Sequence, residues 1–471
     1  MYNYRTGRLI IWLLVLFAAV KNAYSQIGCT DFVIHEINVK GNEKTKASVI
    51  LFESGLHARD KIEPAALLKR ISEAEANVKR TGLFSSVIIN YQLDIDSFCT
   101  VNITIQVVEN WLLFPMIIFE LVDRNFNIWY KDFKHDLSRT SIGLGLTHYN
   151  LTGRKDQLKF KVAGGYTDKY ELIFIKPYIG RSRNIDAGVR VSYLEYSEAA
   201  YDIKNSKPVF YSKPGTNNLL RKQAGTKIRM RTDRRNAFSE ELEWTENITR
   251  DSIAILQPDY FLEGRTRQNL LKAISTYEFN ALNDPVRPTN GFYIKSTVDL
   301  THDVERRSYL NLQTQVEFVY SFTQKWFYRA AINASTALIR TKPAINLYSG
   351  IGLGNNLLNG YDLYLINAMD FVIGESQINY KVFDFNRSLI KFLRNEPKIK
   401  LNIIVDLFIK ASTARANDPY YQYKNTLSNT NLGSISIGAQ WTINSIIKAD
   451  VNYAVNHLGE RGFYFHTTKA F

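Results

Sequence analysis

LKFKVAGGY, residues 158–166, and FYIKSTVDL, residues 292–300, decide the fold. In the first, Leu158, Phe160, Val162, Gly164 and Tyr166 alternate with Lys159, Lys161, Ala163 and Gly165. In the second, Phe292, Ile294, Ser296, Val298 and Leu300 alternate with Tyr293, Lys295, Thr297 and Asp299. Successive side chains of a strand point to opposite faces, so each stretch has one apolar and one polar face. The pattern recurs from Trp111 to Phe471: alternation, a polar turn, then alternation again, with no helical stretch between. Such strands in series imply a closed antiparallel sheet, dry outside and wet inside, the pattern of an outer-membrane barrel.

Working outward from there, the N-terminus reads as a targeting segment. Arg5 and Arg8 make a basic start, and residues 9–20 form a short apolar core. Ala23-Tyr24-Ser25 then offers small residues at the −3 and −1 positions of a cut before Gln26, so residues 1–25 read as a signal peptide. Cys29 raises a lipoprotein alternative, but Gln26 stands where a lipobox prefers Leu. No later run reaches the roughly 18 apolar residues of a spanning helix. The nearest, residues 111–122, is interrupted by Pro115 and Glu120. An aromatic share of 13%, with 28 Tyr and 27 Phe, suits the girdles at the two membrane interfaces of a barrel. The net charge is +14, of which Arg5, Arg8 and Lys21 leave with the signal segment. Basic charge can mean nucleic acid. Here it alternates within strands, as in Lys227, Arg229 and Arg231, which places it along a lumen or rim. A solvated wall with some affinity for anionic lipid heads accounts for it, and no nucleic-acid partner is expected.

Residues 26–110 read differently from the rest. Residues 32–39 form a strand, and Gly41-Asn42 is a turn signal. Residues 45–54 read as a short helix. Pro64 opens a second helix over 65–80, with Leu67, Leu68, Ile71, Ala74 and Val78 at helical spacing. Two alternating strands, 87–93 and 101–108, follow. The order β-α-α-β-β makes a small α+β domain if the helices cover one sheet face. Both cysteines, Cys29 and Cys99, fall here. In an oxidising periplasm a disulfide would tie the start of the region to its last hairpin; two free thiols are the other reading.

Residues 111–471 divide into about 16 strands if each strand with its connection takes roughly 22 residues. Connections alternate in length. Residues 151–154, 323–324 and 444–445 are tight, whereas 199–223, 339–368 and 411–431 are long, the expected asymmetry of periplasmic turns and outer loops. Catalytic patterns are missing. The seven histidines are scattered, and no HExxH, GxSxG or Walker sequence occurs. The glycine-rich stretch 350–354 lacks dinucleotide spacing. The expectation is a non-enzyme with no cofactor and no metal.

Several short stretches together carry a family resemblance. They are Val39-Lys40-Gly41-Asn42 and Gly82-Leu83-Phe84 in the leading module, residues 119–127, and Tyr149-Asn150-Leu151-Thr152-Gly153. Asn283-Asp284-Pro285 before Pro288-Thr289-Asn290-Gly291, and residues 456–460, complete the set. The leading module resembles a POTRA domain, and the whole resembles the BamA/TamA superfamily of outer-membrane insertases in its single-POTRA, bacterial surface antigen form. The resemblance implies an outer-membrane location in a Gram-negative bacterium, with the POTRA-like domain in the periplasm. The partners it implies are unfolded outer-membrane protein clients, outer-membrane lipid and accessory assembly lipoproteins. It also implies a lateral seam between the first and last barrel strands, here marked by Phe114, Gly462 and Phe471. The family's V-R-G-F/Y lumen-loop motif matches Leu358, Asn359, Gly360 and Tyr361, with Asn359 in place of Arg. The acid that the family Arg meets maps to Asp406, and the glycine two positions on is Phe408. An Asn–Asp pair is one neutral-donor bond, so either the loop anchor is weaker or another base serves Asp406. The implied function is insertion, assembly or translocation of outer-membrane proteins. The alternatives are a passive channel and a secretion pore for one partner.

Overall fold

The computed structural model describes residues 29–94, 99–121, 125–180, 184–213, 215–233, 235–284, 286–304, 307–390, 399–421, 424–443 and 447–469. The signal-peptide reading and Phe471 lie outside these. The chain divides into two compact units, one ending at Trp111 and the other starting at Leu112.

The first unit contains β1 (Phe32–Lys40), α1 (Ala47–Ser54), β2 (Lys61–Ile62), α2 (Leu67–Arg80), β3 (Phe84–Asp94) and β4 (Thr100–Glu109). The sheet order is β2-β1-β4-β3, with β1 parallel to β4 and β3 antiparallel to it. Pro64 heads a single 3-10 turn, Pro64–Ala66, and α2 begins after it. Leu67, Ile71, Ala74 and Val78 of α2 are buried, as are Ile34 of β1 and Val101, Ile103 and Ile105 of β4, while Leu68 is exposed. Gly41 adopts φ +82°, and a Cβ there would lie 2.0 Å from the Val107 carbonyl oxygen, so only glycine fits this turn. Cys29 and Cys99 are joined by a disulfide spanning 70 residues of sequence. Closing a loop of that size restricts the unfolded chain. Reduction, or a Cys29→Ser/Cys99→Ser pair, should cost this unit about 2–4 kcal/mol. The check is a urea titration of the full chain with and without reductant; coincident curves would refute it.

The second unit is a 16-stranded antiparallel sheet. Its strands are β5 (Leu113–Leu121), β6 (Thr140–Tyr149), β7 (Gln157–Gly165), β8 (Thr167–Ile179), β9 (Ile185–Tyr196), β12 (Leu219–Arg231), β13 (Asn236–Thr249) and β14 (Arg267–Asn280). They continue with β15 (Gly291–Asp303), β16 (Ser308–Ser321), β17 (Trp326–Ala337), β20 (Asp370–Ile390), β21 (Ile399–Asn417), β22 (Asn431–Ile443), β23 (Ile447–Asn456) and β24 (Arg461–Lys469). Each strand pairs with its sequence neighbour in the sheet, and the ends of the sheet are β5 and β24. Pro115 sits in β5, an end strand, where a missing ladder donor is tolerated.

The alternation is realised as two faces. Ile142, Leu144 and Leu146 of β6, Leu407 and Ile409 of β21, and Ile435 and Ile437 of β22 are exposed on the outer face. On the inner face Arg329 pairs with Glu317 (2.8 Å) and Glu375 (3.1 Å), and Lys410 lies 3.7 Å from Glu375. No helix among the described residues is long and apolar enough to cross a membrane.

The connections at the end opposite the start of β5 are structured. The expectation of no helix after residue 111 fails here: α3 (Phe126–Lys131) and α4 (Asp251–Leu256) lie in loops. Six residues are too few for a helical period to show in sequence. The stretch read as a loop over 199–223 holds a hairpin, β10 (Glu198–Lys204) and β11 (Lys207–Ser212), followed by the first turns of β12. β18 (Gly350–Ile351) and β19 (Ile366–Asn367) pair inside the loop of residues 338–369. The loops close on one another: Leu365 N–H donates to the Ser206 carbonyl (2.7 Å), Lys424 pairs with Asp202 (2.9 Å) and Lys342 with Asp259 (2.6 Å).

Candidate functional site: the lumen loop and the end strands

The loop of residues 338–369 folds back against the inner wall. Leu358 and Tyr361 are buried in a cluster with Ile351, Ile366, Phe371 and Ile373. Asn359 Nδ2 donates to Ser436 Oγ (2.6 Å), and the Asn359 carbonyl accepts from Ser434 Oγ (2.5 Å). Gly360 has φ +82°, and a Cβ there would crowd Ser434 Cβ at 3.2 Å. The positive φ and the close approach to β22 both select glycine. The Tyr361 hydroxyl accepts from Gly433 N–H (3.2 Å), and its ring stacks on His457. Burial pushes the Tyr361 phenol up, with the Gly433 and His457 backbone groups partly opposing. It therefore stays protonated at neutral pH.

The next residue, Asp362, is fully buried and gathers most of the contacts. Its Oδ1 accepts from His466 Nε2 (2.5 Å) and Asn127 Nδ2 (3.2 Å), and its Oδ2 from Gly360 N–H (3.1 Å). Its carbonyl accepts from Asn125 Nδ2 (2.7 Å). His466, on β24, places its other nitrogen 3.1 Å from Asp450 of β23. Both ring nitrogens thus face carboxylates, a geometry that an imidazole satisfies only with a proton on each. The loop tip, α3 and the last strand meet at one carboxylate, and β23 reaches it through His466.

Asp406 stands elsewhere. Its carboxylate is held bidentately by Arg287, Nε to Oδ2 and Nη2 to Oδ1, both 2.6 Å. Asp406 is fully buried, and the Arg287 side chain is 12% exposed. Arg287 lies in the turn between β14 and β15, where the N–H groups of Val286 and Arg287 both donate to Asp284 Oδ1. Its guanidinium also sits 5.1 Å from the centre of the Phe327 ring. The assignment of Asp406 as the acid met by the loop tip is therefore corrected. Ser436, the partner of Asn359, is in register with Lys410. Lys410 is four residues along β21 from Asp406, or roughly 13 Å at the strand rise. Another base does serve Asp406, and sequence reading passed over it: Arg287 lies inside the turn already quoted, between Asp284 and Pro288. An arginine in a tight turn flanked by prolines was the available signal. Phe408, standing where the family has glycine, is opposite Gly438, and a Cβ at Gly438 would meet its ring at 2.7 Å.

Of the residues assigned to the seam, Phe114 is exposed on β5 and meets Tyr149 edge-on at 5.5 Å. Gly462 lies in a regular ladder opposite Ala454. A Cβ there would come within 2.5 Å of the flexible end of Lys131 and touch the Tyr464 phenol at 3.6 Å. Among the described residues no ladder joins β5 to β24.

A 16-stranded antiparallel sheet with a greasy outer face and a charged inner face, together with a small β-α-β-α-β-β module, defines an outer-membrane barrel with a periplasmic domain. The Omp85 superfamily domain matches residues 150–370, and the POTRA model, described as a surface antigen variable number repeat, matches residues 32–110. The chain thus carries an Omp85 superfamily domain within its barrel and a POTRA domain ahead of it. It resides in the outer membrane with that domain in the periplasm. The family comprises non-enzymatic factors for protein insertion or translocation. Among solved structures, the chain is similar to BamA from Haemophilus ducreyi lacking POTRA domains 1–3, with TM-score 0.62 and 15% identity over 93% of this chain and 84% of that one. It is also similar to CdiB from Escherichia coli (TM-score 0.53, 9% identity, covering 93% and 76%). For CdiB from Acinetobacter baumannii the values are 0.54, 11%, 93% and 73%. No curated protein matches the chain.

Proposed function

We propose that the protein inserts and folds outer-membrane proteins, using the edge of β24 as the template for an incoming strand. The observation that carries this reading is the order of the large sheet, which ends at β5 and β24. A client barrel has the same difficulty in reverse, because lipid offers no partner for an unpaired strand edge. Pairing through main-chain groups tolerates any side-chain sequence and needs no nucleotide. The POTRA domain supplies a second acceptor. β3 is an end strand of its sheet, and Ile88, Tyr91 and Leu93 are exposed along it. A passive channel fits less well, since a porin bore is open to water. Here residues of the 338–369 loop bury Leu358, Tyr361 and Ile366 inside the wall.

Site-specific photocrosslinking in living cells tests the reading, with probes at Phe463 on β24 and Ile88 on β3. Capture of barrel-protein precursors at both positions is the expected result. Steady conductance with no crosslinked client would instead mark a passive channel, and capture of one secreted protein alone would mark a dedicated secretion pore.

A further inference from the structure

The outward edge of β24 is occupied. Phe465 is in register with Val451 of β23, yet both of its main-chain groups bond elsewhere. Its N–H donates to Asn127 Oδ1 (2.8 Å), and its carbonyl accepts from Asn127 Nδ2 (3.2 Å). In an antiparallel ladder the N–H and C=O of one residue point to the same side. Phe465 therefore turns this pair away from β23, toward the seam. A primary carboxamide presents the same acceptor and donor as a peptide unit. Asn127 makes with Phe465 the two bonds that one residue of an added strand would make.

The placement of Asn127 is built from several sides. Its side chain is buried, and its Nδ2 also donates to Asp362 of the lumen loop. Asn125 caps α3 by accepting from Ile128 N–H (3.0 Å), while its own amide holds the Asp362 carbonyl. Phe126 meets the Phe465 ring edge-on at 5.2 Å, and the Lys131 ammonium sits 4.1 Å from the centre of the Tyr464 ring. A helix of six residues does not persist alone in water. This one is held by the loop tip on one side and the last strand on the other.

We infer that Asn127 is the resident occupant of the strand-accepting edge of β24, a one-residue stand-in that an incoming strand displaces. The partner this fits is an extended polypeptide read through its backbone. Displacement exchanges two hydrogen bonds for two, and every further ladder bond is gain. A ligand the length of one residue does not compete, whereas a strand of several residues does. At rest the edge is shielded from indiscriminate pairing, the usual hazard of an exposed strand. The inference rests on the proposed reading of β24 as a template.

The test uses the full chain in detergent, as wild type, Asn127→Ala and Asn127→Asp. The aspartate is nearly isosteric, keeps the acceptor for Phe465 N–H and lacks the donor for its carbonyl. It carries the test if the alanine variant fails to fold. The probe is a synthetic peptide with the sequence of residues 461–471 of this chain, bearing a photoreactive group. Two quantities are read: hydrogen exchange of the Phe465 amide and crosslinking of the peptide to β24. Asn127→Ala should speed that exchange about tenfold, the loss of one good hydrogen bond. Both variants should capture the peptide severalfold better than wild type. Equal capture by all three proteins, or unchanged exchange in Asn127→Ala, overturns the inference and leaves the template reading standing. Faster exchange with no capture by any of the three overturns the template reading, and the inference with it.

Discussion

Replacing Arg287 with alanine is expected to lower the unfolding free energy of the barrel by about 3–5 kcal/mol. The cost comes from what remains: the Asp406 carboxylate, fully buried and stripped of both donors. Asp406→Ala should cost a similar amount by stranding the guanidinium. The double variant should cost clearly less than the sum of the two, because it leaves no charge unpaired. Arg287→Lys should fall between, since an ammonium keeps the charge and loses the two-pronged geometry. The measurement is a urea titration of each protein refolded into lipid vesicles. Additive single effects would show that the two residues act apart. The size matters because of where the pair lies. Arg287 belongs to the turn joining β14 to β15, and β21 stands beyond β16, β17 and β20 in the sheet. The ion pair ties a turn to a strand that no ladder connects to it.

That tie also marks the limit of what the sequence discloses. The strands are legible because the period-two signal repeats over long stretches and one face must be apolar. The stretch 158–166 falls within a residue of β7 at either end for that reason. β12 is less legible, because Arg221, Lys222 and Gln223 interrupt its apolar face where it enters the loop region. β20 and β21 run on past their apolar stretches, carried by pairing with each other over most of their length. The loop motif is legible at Gly360, where a positive φ restricts the residue type, and at Tyr361. Its anchor is not. Which polar groups meet across a bore depends on strand register and on how a 32-residue loop folds back, and neither has a local signature. Asn127 shows the same limit. Nothing in Phe126–Lys131 alone announces a side chain placed to imitate a peptide.

The second large effect should fall on Asp362. Asn359, which stands where the family resemblance implies an arginine, makes one neutral side-chain bond, to Ser436. Such a bond is worth about 1 kcal/mol net, so Asn359→Ala should be a mild variant. Asp362 is different in kind. It is buried, faces the His466 imidazole at 2.5 Å and accepts from Gly360, Asn125 and Asn127 as well. Asp362→Ala removes the carboxylate at Nε2 of the ring and leaves His466 with Asp450 at its other nitrogen. The expected loss is about 3–5 kcal/mol, the cost of breaking a buried charged pair. Asp362→Asn keeps the shape and several of the bonds and should fall between. Protease sensitivity within residues 338–369 should rise in the same order, because the loop tip is what the carboxylate holds. Urea titration in vesicles together with limited proteolysis reads both. If Asn359→Ala proved as damaging as Asp362→Ala, the anchor would lie where the family places it. If Asp362→Ala is much the worse, the charge that fixes the lumen loop is an anion gripped by the last strand, three positions along the chain from Asn359. The loop is then coupled directly to β24, and any movement of that strand away from the seam must either carry Asp362 with it or break this contact.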